Sequence, residues 1–193
     1  IMTYGIPDYR LPLNIIEREI ENIKKTGVNI ILNTKIGVDV SFRSLQKNYD
    51  AIFIAIGAQK TLQLGIPGED LEGVYHGLDF LKRVILQRDL DFTGKKVAVI
   101  GGGNTAIDVA RTVRRMGAEP LVVYRRTRDR APAHQTEIQE AIEEGVNMKW
   151  LSTIREAQGG EIKIEKMELD ENGKPRGTGF HTIRSPLCKA ACL

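Results

Sequence analysis

Three consecutive glycines stand between an apolar run, residues 97–100, and a segment of helical periodicity, residues 104–116. In the pattern Gly-x-Gly-x-x-Ala, Gly101 permits a tight turn, Gly103 lets the backbone approach a pyrophosphate, and Ala106 lets the helix pack closely on the strand. The free N–H groups at the helix N-terminus attract phosphate. The order strand, turn, helix therefore predicts a dinucleotide site, with the alternative of a glycine-rich turn in an ordinary α/β protein. The predicted pyrophosphate contacts are Gly101, Gly102, Gly103, Asn104 and Thr105.

A second apolar run, residues 120–124, predicts the strand that completes a βαβ unit. It is followed by Arg125 and Arg126, where a protein that binds NAD usually carries an acidic residue for the ribose. Two guanidinium groups at this point favour a 2′-phosphate, so the sequence predicts NADP(H) rather than NAD(H). Arg130 is a further candidate for the same phosphate.

The predicted helix after the glycines carries several charged residues. Its three arginines are expected to form a solvated face, because they lie opposite the apolar positions; they are Arg111, Arg114 and Arg115. Asp108 is expected to form an i,i+3 ion pair with Arg111. The three histidines have no metal-ligand spacing, so we predict no metal site.

The composition limits the classes of protein that fit. The chain of 193 residues has 28 Lys and Arg against 25 Asp and Glu, too even a balance for a nucleic-acid-binding protein. The longest apolar stretch, residues 51–58, is too short to span a membrane, and no signal peptide is visible. The only two cysteines, Cys188 and Cys192, lie near the C-terminus and cannot staple a core, which favours a reducing cytoplasm.

Other segments have less specific patterns. Asn14 is placed to cap a helix that ends near Lys25, and Ser41 to cap a shorter one. Residues 77–87 and 134–144 have helical periodicity. Residues 28–32, 51–56, 146–150 and 162–169 are predicted strands, and residues 177–193 have no clear pattern, which predicts an irregular tail.

Several motifs recur in order along the chain, and together they resemble one family. They are residues 5–12 (Gly-Ile-Pro-x-Tyr-Arg-Leu-Pro), 55–58 (Ala-Ile-Gly-Ala), 66–69 (Ile-Pro-Gly-Glu), 101–111 and 124–126 (Tyr-Arg-Arg). Over about residues 1–170, the chain resembles the small (β) subunit of NADPH-dependent glutamate synthase and its relatives. These relatives include the matching domains of dihydropyrimidine dehydrogenase and of NADH-dependent ferredoxin:NADP oxidoreductases.

The resemblance implies an α/β fold: a Rossmann-like NAD(P)-binding domain of the disulfide reductase-like, FAD- and NAD(P)-dependent type, with a partial FAD lobe. In this family the NADPH domain is inserted into a split FAD domain. The implied division is a partial FAD-binding lobe at residues 1–58, the NADP(H)-binding domain at 59–170 and the irregular tail at 171–193. The FAD lobe's own Gly-x-Gly-x-x-Gly is not in this sequence, so this fragment alone is expected to be inactive and to bind FAD weakly or not at all.

The resemblance also implies the chemistry of the longer protein. NADPH passes a hydride to FAD, and electrons continue to iron–sulfur clusters on a further domain or a large subunit. No side chain is needed as acid, base or nucleophile, so no catalytic residue is predicted. Arg10 is a candidate to face the flavin, its alternative being a bond to loop carbonyls. The predicted crossing between the lobes is lined by Ala55, Ile56, Gly57 and Ala58. The competing function is a nucleotide-binding regulatory or interaction module without redox turnover.

Overall fold

The computed structural model describes residues 2–57, 63–87, 90–158 and 160–184, with only the backbone described for residues 181–184. The chain forms two compact units. One comprises Pro12–Lys60, and the other comprises Ile1–Leu11 together with Thr61–Leu193. The predicted division placed all of residues 1–58 in one lobe. In the structure, the first eleven of these residues belong with the larger unit.

The smaller unit contains two helices, α1 (Leu13–Lys25) and α2 (Phe42–Asn48). The side chain of Ser41 caps α2 as predicted, because its hydroxyl accepts a hydrogen bond from the Ser44 N–H at 3.0 Å. The predicted cap at Asn14 is wrong. Helix α1 begins at Leu13, two residues earlier than a cap at Asn14 implies, and follows Pro12, whose backbone φ of −58° lies close to the helical value.

Neither predicted strand of the smaller unit, residues 28–32 or 51–56, forms a strand in the structure. A β-strand is stabilised by ladder hydrogen bonds to a neighbour and by burial of its side chains. Here the apolar side chains are mostly exposed, with Leu32 74% and Phe53 92% accessible. These segments therefore do not form strands in this unit, although their residues have high β-propensity.

The larger unit is built around the predicted βαβ arrangement, which is confirmed. After helix α3 (Gly77–Gln87) come β1 (Lys96–Ile100), α4 (Asn104–Arg115), β2 (Glu119–Val123), α5 (Gln135–Glu143) and β3 (Asn147–Lys149). The three strands form a parallel sheet in the order β1-β2-β3. Parallel strands joined by helices bring the carboxyl ends of all three strands to one edge, where ligands bind in folds of this class.

Both faces of the parallel sheet are buried, as is usual for parallel strands. On one face, Val97, Val99 and Val122 pack with α3, α4 and α5 in the main core. On the other face, Ala98, Ile100 and Val123 pack in a second core with an antiparallel sheet. The parallel sheet of the predicted nucleotide-binding fold thus lies between helices on one face and the antiparallel sheet on the other.

The antiparallel sheet consists of β4 (Ser152–Gln158), β5 (Glu161–Leu169) and β6 (Pro175–Arg184), in that order. The irregular tail predicted from residue 171 is therefore wrong up to residue 184. Strand β6 contains glycines of low strand propensity, but it pairs along its whole length with β5, and this pairing overrides the local preference. Residues 185–193, including both cysteines, lie outside the described residues.

The motif at residues 66–69 attaches the segment before α3 to β4. The Ala157 N–H donates to the Pro67 carbonyl at 3.0 Å. The Glu69 carboxylate accepts from the N–H groups of Leu64 and Gly65, both at 2.7 Å. These hydrogen bonds lower the pKa of Glu69, although burial opposes them. Gly68, at φ +86°, leaves no room for a side chain, because a Cβ there would lie 1.8 Å from the Ala157 carbonyl oxygen.

Replacing Gly68 with alanine should lower the free energy of unfolding by about 2 kcal/mol or more, since strain at positive φ is added to a backbone clash. Urea unfolding followed by circular dichroism measures this change. The matched control is Gly65→Ala, at φ +69° with no atom within 4 Å of the new Cβ, which should cost only the strain of about 1–2 kcal/mol. Equal losses in the two variants would contradict the packing of residue 68 on β4.

Candidate functional site

The glycine turn joins β1 to α4, as the sequence predicts. Gly101 has φ +130°, a conformation in which a side chain would be strained, and its N–H donates to the Val123 carbonyl at 3.1 Å. Gly103 is the N-cap residue of α4, no side chain caps the helix there, and the first turn carries no acidic residue. The positive end of the helix dipole is thus left for an external anion.

Gly102 and Gly103 lie in opposite surroundings. A Cβ on Gly102 would lie 2.6 Å from the ring of Tyr124, whereas a Cβ on Gly103 would meet no atom within 4 Å. Gly102 is therefore required by the packing of the protein itself, a role that the sequence analysis missed. Gly103 faces open space, which suits the close backbone approach predicted for it.

The arginines after β2 differ in their exposure and in the hydrogen bonds and ion pairs that their side chains make. Arg125 is exposed. Arg126 is partly buried, and its Nε has no hydrogen-bond partner among the described residues. The side chain of Arg130 is 60% exposed, 3.7 Å from the carboxylate of Asp129. Arg128 instead donates to Gln135 and Gln139, so the three predicted phosphate ligands are more available than Arg128.

Three hydrogen bonds connect the glycine turn, and Tyr124 at the end of β2, with residues 130–134. The Tyr124 hydroxyl donates to the Arg130 carbonyl at 2.9 Å. The Ala133 N–H donates to the Gly102 carbonyl at 3.0 Å, and the His134 N–H donates to the Asn104 side-chain oxygen at 3.2 Å. The structure therefore holds the backbone that follows the arginines against the glycine turn and Tyr124.

Asp108 does not form the predicted ion pair with Arg111. Its two carboxylate oxygens both accept from Nη1 of Arg10 at 2.8 Å. Among the described residues, the partners of Arg10 are therefore carboxylates and not loop carbonyls. The second carboxylate is that of Glu137, 3.4 Å from the Arg10 Nε. Burial raises the pKa of Asp108, and the hydrogen bond from Arg10 opposes that rise. The prediction is wrong because the Asp108 carboxylate is hydrogen-bonded to Arg10, which is 98 positions away in the sequence.

The solvated face predicted for the arginines of α4 is wrong for Arg111, which is only 4% exposed. Its guanidinium donates to Glu137 at 2.6 Å and to Glu144 at 2.7 Å. Arg115 also donates to Glu144 at 2.7 Å, and both guanidinium groups lie over the ring of Tyr9, with distances to the centroid of 4.7 and 3.9 Å. Arg114 is exposed, as predicted, and donates to the Glu144 carbonyl at 2.9 Å.

This cluster shifts the pKa values of its members. Hydrogen bonds from Arg111 and Arg115 lower the pKa of Glu144 to about 2. Burial raises the pKa of the Tyr9 hydroxyl, so this tyrosine is neutral at physiological pH. The cluster holds residues 9 and 10 against α4 through ion pairs and cation–π contacts.

The remaining predicted residues belong to the smaller unit. Ala55, Ile56 and Gly57 are exposed there, and Gly57 has φ +67°. Ala58 lies outside the described residues. Within the described ranges, no three side chains of His, Cys, Asp or Glu converge as a metal site. None of the helices in the part of the chain that the structure describes is long and apolar enough to cross a membrane.

Comparison with protein families gives one family model over most of the chain: pyridine nucleotide-disulphide oxidoreductase, matched at residues 2–180. The chain is 44% identical to the NADP(+)-dependent formate dehydrogenase subunit beta of Moorella thermoacetica, over 93% of this chain and 26% of that protein. It is 42% identical to the NADPH-Fe(3+) oxidoreductase subunit beta of Geobacter sulfurreducens, over 97% of this chain and 26% of that protein.

A third relative is the glutamate synthase [NADPH] small chain of Escherichia coli, which is 35% identical over 97% of this chain and 39% of its own length. The chain therefore spans less than half the length of these three relatives. Among solved structures, FprA of Mycobacterium tuberculosis matches with a TM-score of 0.78 at 20% identity, over 99% of this chain and 60% of FprA. The match to FprA confirms the fold.

Replacing Glu144 with glutamine should lower the free energy of unfolding at pH 7 by roughly 1–2 kcal/mol, because two arginines lose a charged acceptor. Hydrogen bonds from the two arginines lower the pKa of Glu144 from its ordinary value of 4.5 to about 2 in the folded protein. A lowered pKa stabilises the fold above the unfolded value, so the difference between wild type and variant should shrink as the pH falls from 4.5 toward 2. Urea unfolding across this pH range measures it.

The matched control is Glu140→Gln. Glu140 also pairs with Arg111, at 2.9 Å, but its side chain is 53% exposed, so the loss should stay within about 0.5 kcal/mol. If the difference in the free energy of unfolding between wild type and Glu144→Gln did not change with pH, the charge of Glu144 could not be the cause of the lost stability.

Proposed function

The chain belongs to the pyridine nucleotide-disulphide oxidoreductase family, and on this premise we propose that it is the NADPH-binding portion of a longer flavin-dependent oxidoreductase. In this proposal, residues 61–184 with the first eleven residues form the NADP(H)-binding domain, and residues 12–57 belong to the FAD-binding lobe. The relatives whose names specify NADP(+) or NADPH as the electron carrier support the choice of nucleotide.

The observation that carries the proposal is the uncapped N-terminus of α4 beside open space at Gly103. A pyrophosphate there would accept hydrogen bonds from the backbone N–H groups of the turn, and the helix dipole would favour its charge. The proposed N–H contacts come from Gly102, Gly103, Asn104 and Thr105, whereas Gly101, whose N–H already donates to the Val123 carbonyl, would line the turn. Nothing in the described part of the turn competes as an anion for the same N–H groups.

The adenosine 2′-phosphate is assigned to Arg125, Arg126 and Arg130. Two features support this assignment. The backbone that follows the arginines is hydrogen-bonded to the glycine turn, from the Ala133 N–H to the Gly102 carbonyl, and the Nε of Arg126 is buried without a partner among the described residues. Charge-assisted bonds from guanidinium groups to phosphate are strong and directional.

When bound, NADPH would supply a hydride that FAD would accept, and we propose that the longer protein would pass the electrons on to iron–sulfur clusters. The residues of this chain contribute binding and orientation, and no catalytic side chain is assigned. Residues 55–58 and Arg10 are proposed to contribute on the flavin side. The exposed apolar side chains of residues 28–32 and 51–56 support contact with the rest of the FAD lobe, since large apolar patches mark interfaces.

The partners proposed for the full-length enzyme follow from the names of its relatives, three of which are described as subunits or a small chain. We propose a large subunit or an iron–sulfur domain as the electron acceptor of the flavin. The reducing cytoplasm remains the proposed location, on the basis of the two cysteines at the C-terminal end.

Replacing Gly103 with alanine should leave the fold unchanged, because the new Cβ meets open space, but should weaken NADPH and NADH alike by about tenfold or more. The physical reason is that the methyl group would occupy the approach of the shared pyrophosphate. Calorimetric titration of the purified chain with both nucleotides measures this. The matched variant Gly102→Ala should instead lower the stability of the fold by displacing the Tyr124 ring. Unchanged affinity in Gly103→Ala would argue against a pyrophosphate at this turn.

Replacing Arg125 and Arg126 together with alanine should weaken NADPH by about 1.5–3 kcal/mol per lost charged hydrogen bond and leave NADH nearly unchanged. NADH lacks the 2′-phosphate, so it reports every effect except the loss of that contact. Parallel calorimetric titrations with the two nucleotides give the comparison. An equal loss for both would refute the 2′-phosphate assignment, and Arg128→Ala is the control, because its guanidinium is bonded to glutamines.

A further inference from the structure

Tyr124 is held in place from both sides at the end of β2. Its N–H donates to the Lys149 carbonyl at 3.0 Å, and its own carbonyl accepts from the Ser152 N–H at 3.0 Å. Its side chain is buried, with the whole residue 8% exposed, and its ring meets Trp150 edge-on at a centroid distance of 6.3 Å. The backbone of Tyr124 is therefore fixed by hydrogen bonds on both sides, and its ring is buried against Trp150.

This fixed side chain contacts both halves of the proposed nucleotide site. The ring lies so close to Gly102 that a Cβ there would be 2.6 Å away. At the opposite end of the same side chain, the hydroxyl donates to the Arg130 carbonyl at 2.9 Å. The ring thus supports the glycine turn and the hydroxyl holds the end of the arginine segment.

The hydroxyl acts where the arginine segment would otherwise be least constrained. Residues Arg128–Arg130 form a single 3-10 turn, and single turns of this kind have weak internal hydrogen bonds. The Tyr124 hydroxyl fixes the carbonyl of the last residue of this turn. The position of the backbone that carries Arg130 therefore depends on a donor that lies outside the segment.

We propose that Tyr124 is a positioning residue for nucleotide specificity: its hydroxyl sets the arginine segment for the 2′-phosphate, and its ring supports the pyrophosphate turn. The inference rests on the proposed function, since it assumes that the arginines bind that phosphate. Tyr124 itself touches neither phosphate in this scheme. It acts through the Arg130 carbonyl and through Gly102.

The test uses Tyr124→Phe, which removes the hydroxyl and keeps the ring on Gly102. The probes are 2′,5′-ADP, which carries the 2′-phosphate, and 5′-ADP, which lacks it, titrated calorimetrically into the purified chain. The Kd for 2′,5′-ADP should rise roughly three- to ten-fold, as expected for one lost hydrogen bond, while that for 5′-ADP should change less than about twofold. Tyr124→Leu, which also removes the ring, should weaken both probes.

The matched control is Tyr9→Phe, because the Tyr9 hydroxyl is buried without a hydrogen-bond partner among the described residues; it should change neither Kd. Trp150 is the only tryptophan of the chain, so its fluorescence reports whether the ring of residue 124 has kept its place. A general distortion would alter that fluorescence and weaken both probes together.

The outcomes separate the two proposals. Equal affinity of the wild type for the two probes would overturn the proposed NADPH function. A wild type that prefers 2′,5′-ADP, with Tyr124→Phe retaining the whole preference, would overturn the role of Tyr124 alone. Equal weakening of both probes in Tyr124→Phe would also overturn it, because the hydroxyl would then serve the general fold and not specificity.

Discussion

The burial of helix α4 is the constraint on which much of the larger unit depends. Eight consecutive residues of this helix, from Ala106 to Val113, are buried, so a charge on any of these eight positions is not hydrated. Buried charges are tolerated only when they are paired and hydrogen-bonded. Asp108 and Arg111 meet this requirement by taking partners from other parts of the chain, Arg10 for the first and Glu137 and Glu144 for the second.

The same helix presents its polar N-terminus to the exterior. Its apolar residues Val109, Ala110 and Val113 are fully buried in the core, and this packing fixes the direction of the helix axis. The unpaired N–H groups of the first turn are therefore aimed by the core and not by the turn itself. A rigid helix that begins at a glycine turn would bind an anion with little reorganisation, as the proposed function requires.

The elements that the sequence predicted well are those whose signal is local. The glycine turn, the periodicity of α4 and α3, and the apolar run of β1 each depend on neighbouring residues, and the structure has them close to the predicted bounds. Strands 28–32 and 51–56 were predicted on equally local grounds and are absent, because a strand needs a partner that local sequence does not encode. Strand β6 was missed for the opposite reason, since pairing with β5 overrides its glycine-rich composition.

The sequence by itself determined the class of the protein, the glycine turn and the presence of arginines after the second strand, because residue types at short, fixed spacing dictate each of these. Only the tertiary structure decided which charged groups meet, that Gly102 is required by Tyr124, and that Ala133 and His134, just after the arginines, are hydrogen-bonded to the turn. These are contacts between residues that are about 20 to 100 positions apart, and their energies depend on burial and exact distance. Spacing along the chain carries no information about such contacts until the fold has brought the residues together.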